Sequence, residues 1–404
     1  VAATWRNSVP TAELSSLYAF LIIAAMLGLL ALGVWIGLAL LGSALLAMLL
    51  FSSKLPGDAM ATTVFGSMTG WTLTALPLFI WMGEVLYRSR ISEYMFRGLA
   101  PWMSLLPGRL LQVNVAASMV FAAISGSSAA TCATVGKITI PELQKRGYPD
   151  GMMIGSLAGA GTLGLLIPPS IIMIVYAVAA DVSINKLFAA GVLPGIVLGG
   201  LFMLYNGAWA IANPDKIPVD DVRMTMGARL RASFALMPVL LLIGAVLGSI
   251  YAGIATATES ATIGLIGSFI LAAFQGGVDR AFFVRTVIGA MRTTTMIMLI
   301  IAGASFLALA MGFSGLPRQL AEWVGKFGLT QGQLLIALTV LYVILGCLLD
   351  GVSIVLLTMA IVLPMIKAVG IDPLWFGIFI VIVVEMGQIT PPVGFNLFVL
   401  QNLL

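Results

Sequence analysis

Two short polar stretches lie inside apolar runs of this sequence, and their oxygen atoms could bind a small cation. The first runs from Ile124 to Thr131, where four hydroxyl residues and one glycine stand in place of the leucines of a lipid-facing helix. The second runs from Leu349 to Ser353 and contains Asp350. Because the bilayer core holds no water, backbone groups freed at a glycine there need an internal partner. A cation or a polar substrate would satisfy that need.

The composition argues against an enzyme. The chain has no histidine, which excludes catalysis or metal binding through imidazole. Its two cysteines, Cys132 and Cys347, lie in apolar runs, and sequence alone does not pair them in a disulfide. An intramembrane aspartyl protease needs two carboxylates at one site, and Asp350 has only Glu385 as a mate. We therefore predict no catalytic residue, no cofactor, and no metal other than Na⁺ as a coupling ion.

The elements that must position these stretches are transmembrane helices. Hydrophobic residues make up 60% of the 404 residues and charged residues only 9%, whereas soluble domains are about 25% charged. Several apolar runs reach the ~20 residues that cross a bilayer. The formal net charge of +4 reflects basic loops rather than a nucleic-acid patch. We predict an all-α polytopic membrane protein that contacts the lipid bilayer and no nucleic acid.

A re-entrant hairpin is predicted around the first polar stretch. Basic residues mark the cytoplasmic side of a membrane protein, and Arg109 and Lys145 flank residues 110–144 at both ends. A segment whose two ends share one side either crosses twice or turns back, and the polar cluster at its middle favours the hairpin. Residues 151–180 follow as a membrane helix that a proline pair breaks, because proline lacks the backbone donor.

The polar loop at the middle of the chain suggests a division into two halves. The predicted parts are a lead-in at residues 1–16, a first repeat at 17–210, a cytoplasmic linker at 211–232 and a second repeat at 233–404. The second repeat has its own hairpin at residues 331–367 and its own broken helix at 373–401. Before that hairpin, we expect an amphipathic segment at residues 278–292 and a separate span at residues 294–313.

The two halves repeat one plan. Gly126 aligns with Gly351, and the first proline pair aligns with the second, at offsets between 223 and 225. Counting crossings from the first hairpin puts the second hairpin on the outer side, so the repeats are inverted, as is typical of secondary transporters. The span at residues 187–210 has no counterpart before Leu404, and we expect the full protein to carry one further C-terminal helix.

Helix ends that meet at mid-depth would form the sites, because hydroxyl, carbonyl and carboxylate oxygens suit Na⁺. In the first half, the residues assigned to sodium are Ser125, Gly126, Ser127, Ser128, Gly164 and Ile167. In the second half, they are Asp350, Gly351, Ser353, Gly387, Gln388 and Thr390. The anionic substrate would lie between the two sites, and the residues assigned to it are Thr131, Pro168, Pro169, Ser170, Pro391, Pro392 and Asn396.

Five stretches of the chain together resemble one known family, and they are residues 125–131, 141–148, 164–170, 190–195 and 390–396. They are similar to the large, DctM-like membrane subunit of tripartite ATP-independent periplasmic (TRAP) transporters. The resemblance implies an elevator-type Na⁺-coupled carrier in the bacterial cytoplasmic membrane. It also implies a small DctQ-like membrane subunit and a DctP-like periplasmic binding protein. The chain departs from the family at Ala257 and Trp35, where proline is usual, and at Glu385, where a neutral polar residue is common.

These features predict a permease subunit that imports an organic anion with Na⁺ by an elevator mechanism. The substrate would be a carboxylate of the dicarboxylate, keto acid or sialic acid class, delivered by the binding protein. The alternative that stays open is a related elevator carrier that takes free carboxylate without a binding protein. A pore would explain the paired proline breaks poorly.

Overall fold

The computed structural model describes residues 21–22, 24–51, 54–218, 224–315, 319, 322, 328–391 and 394–403. Within these ranges the chain forms helices and no strand, which confirms the predicted all-α polytopic fold. Four helices are long and apolar enough to cross a membrane, and up to seven spans result if each of three bent helix pairs counts as one. The predicted lead-in at residues 1–16 lies outside the described residues.

The helices are numbered here in chain order. The first half contains α1 Ile36–Phe51, α2 Pro56–Met68, α3 Ala75–Arg88, α4 Ile91–Met103, α5 Leu110–Ser125, α6 Ser128–Lys145, α7 Asp150–Leu166, α8 Ile171–Ala180 and α9 Ile184–Ala212. The second half contains α10 Met226–Ser233, α11 Met237–Tyr251, α12 Ala257–Phe274, α13 Arg280–Ser314, α14 Gln331–Gly346, α15 Gly351–Ala368, α16 Pro373–Gln388 and α17 Phe395–Gln401. The predicted hairpins correspond to α5–α6 and α14–α15, and the predicted broken helices to α7–α8 and α16–α17.

The helix bounds repeat between the two halves. α6 and α15 each have 18 residues, and both ends of α15 lie 223 positions after those of α6. Ser127 and Asp350, which cap these two helices, are therefore equivalent. The pairing of Gly126 with Gly351 was wrong by two residues, because Gly126 ends α5 with a left-handed φ of 62° whereas Gly351 is the first residue of α15.

One long helix, α13, replaces the two segments expected before the second hairpin. It runs unbroken for 35 residues, so the division between residues 278–292 and 294–313 was wrong. No glycine or proline stands between Arg292 and Thr295 to break it. Asp279 caps its start, with the Asp279 carboxylate accepting from the Phe282 N–H at 2.5 Å. α13 packs against α1, α2 and α3, α3 packs against α12, and α12 packs against α11. These helices form the group that we call the scaffold.

A second group of helices surrounds α7, which packs against α5, α6, α9, α16 and α17. Every residue of α7 from Leu157 to Leu166 is buried. The helix is rich in glycine, and small residues let membrane helices approach closely. At Gly161 a Cβ would lie only 1.9 Å from Cys132 Sγ on α6. Helices from both halves therefore meet on a common central helix.

Candidate ion and substrate site

The turn of the first hairpin is a left-handed glycine between two helix ends. Gly126 has the φ that glycine adopts without strain, and its N–H donates to Ala122 O at 3.3 Å. Ser127 then caps α6, with its hydroxyl accepting from the Ala130 N–H at 3.4 Å. The polar stretch of the first hairpin thus forms the end of one helix and the start of the next.

The proline pair separates α7 from α8, which are bent by 42° at the break. Pro168 and Pro169 are buried, and Pro169 cannot donate to the carbonyl of Leu165 four residues before it. The Ser170 hydroxyl donates to that carbonyl instead, and it also accepts from the Met173 N–H at 3.5 Å as the cap of α8. The Ser170 side chain, assigned to the substrate, is thus fully buried and holds the two helix ends.

The hairpin tip and the break touch each other through their backbones. The Ile171 N–H donates to Gly126 O at 3.2 Å. A Cβ at Gly126 would lie 2.7 Å from Pro169 O, and a Cβ at Gly164 would lie 2.5 Å from Ser127 O. Both approaches are closer than a side chain tolerates, so both positions need glycine. The structure therefore brings Gly126, Ser127 and Gly164 of the first sodium site to one place, and Ile167 caps the C-terminal end of α7 at the break.

Oxygen atoms concentrate at this contact. The carbonyl oxygen of Ser127 accepts from the Thr131 N–H at 3.0 Å, from Thr131 Oγ1 at 2.8 Å and from Ser125 Oγ at 3.3 Å. Ser125 Oγ also lies 2.8 Å from Thr131 Oγ1, and Gly164 faces the group. We call Ser125, Ser127 and Thr131 the oxygen cluster. Thr131, assigned to the substrate, is fully buried within this cluster.

The second hairpin ends at a carboxylate. Asp350 caps α15, with its carboxylate accepting from the Ser353 N–H at 3.2 Å and from the Ser353 hydroxyl. Beside this cap, a Cβ at Gly351 would lie 2.7 Å from Gln388 Nε2 of α16. The structure thus places four of the residues assigned to the second sodium site together, and the fifth, Gly387, packs against the end of α14 at Gly346.

The other residues assigned to the second break are Thr390, Pro391 and Pro392. The hydroxyl of Thr390, assigned to sodium, lies just after α16 and donates to Met386 O in the last turn of that helix at 2.6 Å. Pro391, assigned to the substrate, is exposed. Pro392, also assigned to the substrate, is not among the described residues.

Asn396 joins the two halves. It lies on α17, is fully buried, and accepts a hydrogen bond from the Ser128 hydroxyl at the start of α6. Its amide nitrogen donates to Ala158 O of α7 at 3.4 Å. A side chain of the second half is therefore bonded to the hairpin and to the broken helix of the first half.

A cavity of about 310 Å³ opens at the first hairpin tip. One wall contains Ser125, Ser127 and Ala130 of the hairpin, and the facing wall contains Glu84 of α3 and Thr293 of α13. The cavity therefore lies between the hairpin and the scaffold. Sequence reasoning missed the two scaffold residues, because no local pattern marks them as part of the site and both lie far along the chain from the hairpin.

A second cavity, of about 400 Å³, is basic. Its lining includes one acid, Glu93 of α4, and three basic side chains, which are Arg88 of α3, Lys137 of α6 and Arg285 of α13. Tyr87 lines both cavities, so they follow one another along the face of α6. Arg88 forms an ion pair with Glu84 at 2.9 Å, which connects the two cavities electrostatically.

Comparison with known proteins gives a consistent result. Residues 23–403 match the family model described as "Tripartite ATP-independent periplasmic transporter, DctM component". A "C4-dicarboxylate TRAP transporter large permease protein DctM" from Pseudomonas aeruginosa is 35% identical over 88% of this chain and 83% of its own. An "Isethionate TRAP transporter permease protein DctMQ" from Oleidesulfovibrio alaskensis is 34% identical over 89% of this chain and 56% of its own.

A solved structure has a similar fold. It is that of the YdaH transporter of Alcanivorax borkumensis, with a TM-score of 0.57 over 84% of this chain and 80% of its own. At 16% sequence identity, this likeness concerns the arrangement of the helices alone.

Proposed function

The chain belongs to the DctM family of TRAP transporters, as a large permease subunit in the bacterial inner membrane, and from this premise we propose that it imports an organic anion together with Na⁺. Its relatives are transporter permeases rather than enzymes, which fits the absence of a predicted catalytic residue. The proposed import uses an elevator movement, in which the hairpins and broken helices carry both solutes past the scaffold.

The observation that carries this proposal is the contact between the first hairpin tip and the first helix break. Ser125, Ser127 and Thr131 place hydroxyl and carbonyl oxygens on one side of it, and Gly164 on the other side puts no side chain between α7 and these oxygens. Such oxygens are hard ligands that suit a small cation. Asp350 adds a carboxylate at the equivalent position of the second half, which supports a second sodium site.

The two cavities support a route for the substrate. Basic side chains favour the cytoplasmic side of a membrane protein, and three of them line the larger cavity. The smaller cavity begins at the hairpin tip and continues into the larger one through Tyr87. We infer that an anion released at the tip leaves along α6 toward this basic mouth, which attracts its charge.

Our proposals for the substrate class and for the partner proteins are based on the names of the related proteins. The two relatives described above are named for a C4-dicarboxylate and for isethionate, both small organic anions. The second of them is named DctMQ, and the chain spans about half of its length. We propose a small organic anion as the substrate, a DctQ-like small membrane subunit as a partner, and a periplasmic binding protein that delivers the anion.

Uptake by reconstituted protein tests the proposal. The chain would be placed in proteoliposomes with its small subunit, and a panel of carboxylates and sulfonates would be offered with and without the binding protein. We expect uptake that requires both an inward Na⁺ gradient and the binding protein. Uptake that needs no binding protein would support the alternative carrier, and uptake that ignores Na⁺ would contradict the proposed coupling.

The variant Asp350→Asn tests the second sodium site. Asparagine caps helices as well as aspartate does, so the helix start should persist while the negative charge is lost. We expect the Na⁺ concentration for half-maximal uptake to rise at least about tenfold, the equivalent of ~1.4 kcal/mol of binding free energy.

The matched control is Asp372→Asn. Asp372 caps α16 through the Trp375 N–H at 2.8 Å, and it lies at the end of the helix remote from the site. Uptake by this variant should match that of the unmodified protein. An Asp350→Asn variant with the same sodium dependence as its control would remove Asp350 from the site.

A further inference from the structure

The larger, basic cavity contains a set of hydrogen-bond donors that an exit route does not require. Arg88 of α3, Lys137 of α6 and Arg285 of α13 come from three different helices and line this one space of about 400 Å³. Attracting an anion toward an exit needs only positive charge nearby. Side chains that converge on one cavity from three helices indicate a binding site.

Two of the three cations have no acidic partner. Arg88 is paired through Nε, at 2.9 Å, with the acid that lines the smaller cavity. Glu93, the acid of the basic cavity, is paired with Arg90 at 3.0 Å. Within the part of the chain that the structure describes, no ion pair joins Lys137 or Arg285 to an acid. The positive charges of these two side chains are therefore left uncompensated.

A buried hydroxyl group adds a neutral donor. Thr134 lies on α6 three residues before Lys137, which puts both side chains on one helix face, and it lines the same cavity. Only 2% of its surface is exposed, and its hydroxyl oxygen has no hydrogen-bond partner among the described residues. Leaving a buried hydroxyl unsatisfied costs free energy. Thr134 is thus a second, independent indication of a ligand in this cavity.

The cavity is separate from the residues assigned to sodium and substrate at the hairpin tip. On α13, Arg285 precedes Thr293 of the smaller cavity by eight residues, which is about 12 Å along the helix. On α6, Lys137 follows Ala130 of the smaller cavity by seven residues, which is about 10 Å. A ligand of the basic side chains would therefore lie about two helical turns from the tip.

A phosphate group matches these donors in charge and in shape. A phosphate monoester carries about −1.5 to −2 charges at neutral pH and has three strong acceptor oxygens. It can therefore compensate both Lys137 and Arg285 and still accept from the Thr134 hydroxyl. A carboxylate carries a single charge on two oxygens in one plane, so it would leave one of the two cations without a counter-charge.

The donors belong to parts of the molecule that move past one another in an elevator movement. Lys137 and Thr134 stand on the hairpin helix α6, whereas Arg88 and Arg285 stand on the scaffold helices α3 and α13. A ligand bound to both parts joins them in the arrangement seen here, and it would lose half of its donors once the hairpin moved. A ligand that prefers one of two states shifts the population toward that state.

We propose that the basic cavity binds a phosphate group from the cytoplasmic side, and that this ligand holds the first hairpin to the scaffold. Inorganic phosphate and a lipid with a phosphate monoester head, such as phosphatidic acid, present the same group. The effect on transport rests on the proposed function, because it requires the elevator movement, whereas the binding of phosphate does not.

Thermal unfolding in detergent tests the binding without any transport. The permease with its small subunit would be titrated with potassium phosphate, and in a second series with short-chain phosphatidic acid. The Na⁺ concentration stays constant, and potassium chloride and short-chain phosphatidylglycerol, whose phosphate is a diester, are the matched reference additions. A ligand of the folded state raises the unfolding temperature by mass action. We expect at least one phosphate monoester ligand to raise it beyond its reference.

Variants locate the site. We expect Lys137→Gln to raise the dissociation constant at least about tenfold, as the loss of one charged hydrogen bond does, and Lys137→Arg to retain binding. The matched control is Lys145→Gln, because Lys145 ends the same helix about 12 Å beyond Lys137. Arg285→Gln, with Arg280→Gln at the start of α13 as its control, repeats the comparison on the scaffold.

Uptake by proteoliposomes tests the hold on the hairpin. Phosphate would be enclosed in phosphatidylcholine vesicles, and the binding protein would be added outside, where it serves only permeases in the native orientation. We expect the initial rate to fall as internal phosphate increases, with the dissociation constant found by unfolding. A lipid source would instead slow uptake when phosphatidic acid, but not phosphatidylglycerol, is present in the vesicles. Either slowing should weaken in Lys137→Gln and persist in Lys145→Gln.

Two results would overturn the site. They are unfolding temperatures that respond to neither phosphate monoester beyond its reference, and equal responses of Lys137→Gln and Lys145→Gln. Binding that leaves the rate of uptake unchanged would contradict the hold on the hairpin. If uptake is absent under all conditions, the proposed function fails, and the unfolding series still decides whether the cavity binds phosphate.

Discussion

At the scale of the residue, the oxygen cluster depends on the lack of a side chain at Gly164. A Cβ there would lie 2.5 Å from Ser127 O and 2.6 Å from Thr131 Oγ1. Both oxygens belong to the oxygen cluster, and one of them belongs to the backbone, which cannot rotate away. Substituting Gly164 therefore tests the site more directly than substituting a hydroxyl residue, because the new side chain blocks the site without removing an oxygen ligand.

We predict that Gly164→Ala costs about 1–3 kcal/mol of stability, as overpacking of a filled interior does, and lowers Na⁺-driven uptake at least about tenfold by displacing Ser127. Thermal unfolding in detergent and uptake by proteoliposomes measure the two effects. Gly155→Ala on the same helix is the control, because nothing lies within 4 Å of its Cβ. Equal behaviour of the two variants would show that the close approach at Gly164 is unimportant.

Residue types were predictable where they break a helix. Pro168 indicates a helix break because proline lacks a backbone donor, and Gly126 indicates one because glycine tolerates a positive φ. The surroundings of the Thr131 side chain could not be predicted from the sequence, because the rotation of the helix decides whether a buried hydroxyl faces a cavity or its own hairpin. Glu84 and Thr293 were not identified either, because only tertiary packing places them opposite the hairpin tip.

At the scale of the element, the hairpin is held to the broken helix by its turn. Gly126 needs its left-handed φ of 62° and also lies against Pro169 O. These two requirements can be separated experimentally. Gly147, between α6 and α7, has a φ of 79° and nothing within 4 Å of its Cβ, so it shares the first requirement and lacks the second.

We predict that Gly126→Ala and Gly147→Ala each lose about 1–2 kcal/mol of stability, since alanine is strained at positive φ. Only Gly126→Ala should also reduce Na⁺-driven uptake, because its Cβ pushes the tip away from Pro169. Thermal unfolding and uptake, measured side by side, test both statements. If Gly147→Ala reduced uptake as much, strain alone would explain the loss, and the tip contact would have no separate role.

The elements themselves differed in how well the sequence predicted them. The two hairpins were foreseeable, because a polar cluster at the middle of an apolar run is a local signal, and basic flanks marked the first of them. The continuity of α13 was not foreseeable, because charges such as Arg285 suggested an interfacial segment. Packing against α1, α2 and α3 extends the helix through that segment.

At the scale of the whole molecule, the cavity separates the hairpin from the scaffold. Ala130 and Thr293 stand on its two walls. In an elevator movement these walls slide past one another, whereas residues within the scaffold keep their neighbours. Joining the two walls should therefore stop transport without unfolding the protein.

We predict that Ala130→Cys combined with Thr293→Cys loses uptake when a flexible bifunctional thiol reagent joins the pair. Each single variant treated alike controls for the reagent and for the native thiols Cys132 and Cys347. Leu242→Cys with Gly267→Cys joins α11 to α12, where the two positions are in contact, and should leave uptake intact. Undiminished uptake through a joined cavity would exclude the elevator movement.

The hydrogen bond between Asn396 and the first hairpin has a consequence for how the transport rate depends on sodium concentration. Since the Asn396 amide, which follows the second helix break, accepts a hydrogen bond from Ser128 of the first cation site, we expect filling of either site to favour filling of the other. Import would then respond to external sodium as a threshold, with a sigmoidal rather than a hyperbolic curve. Below that external sodium concentration, import would stop abruptly. The cell would then retain the imported anion, because a carrier with only one sodium ion bound would not transport it back out.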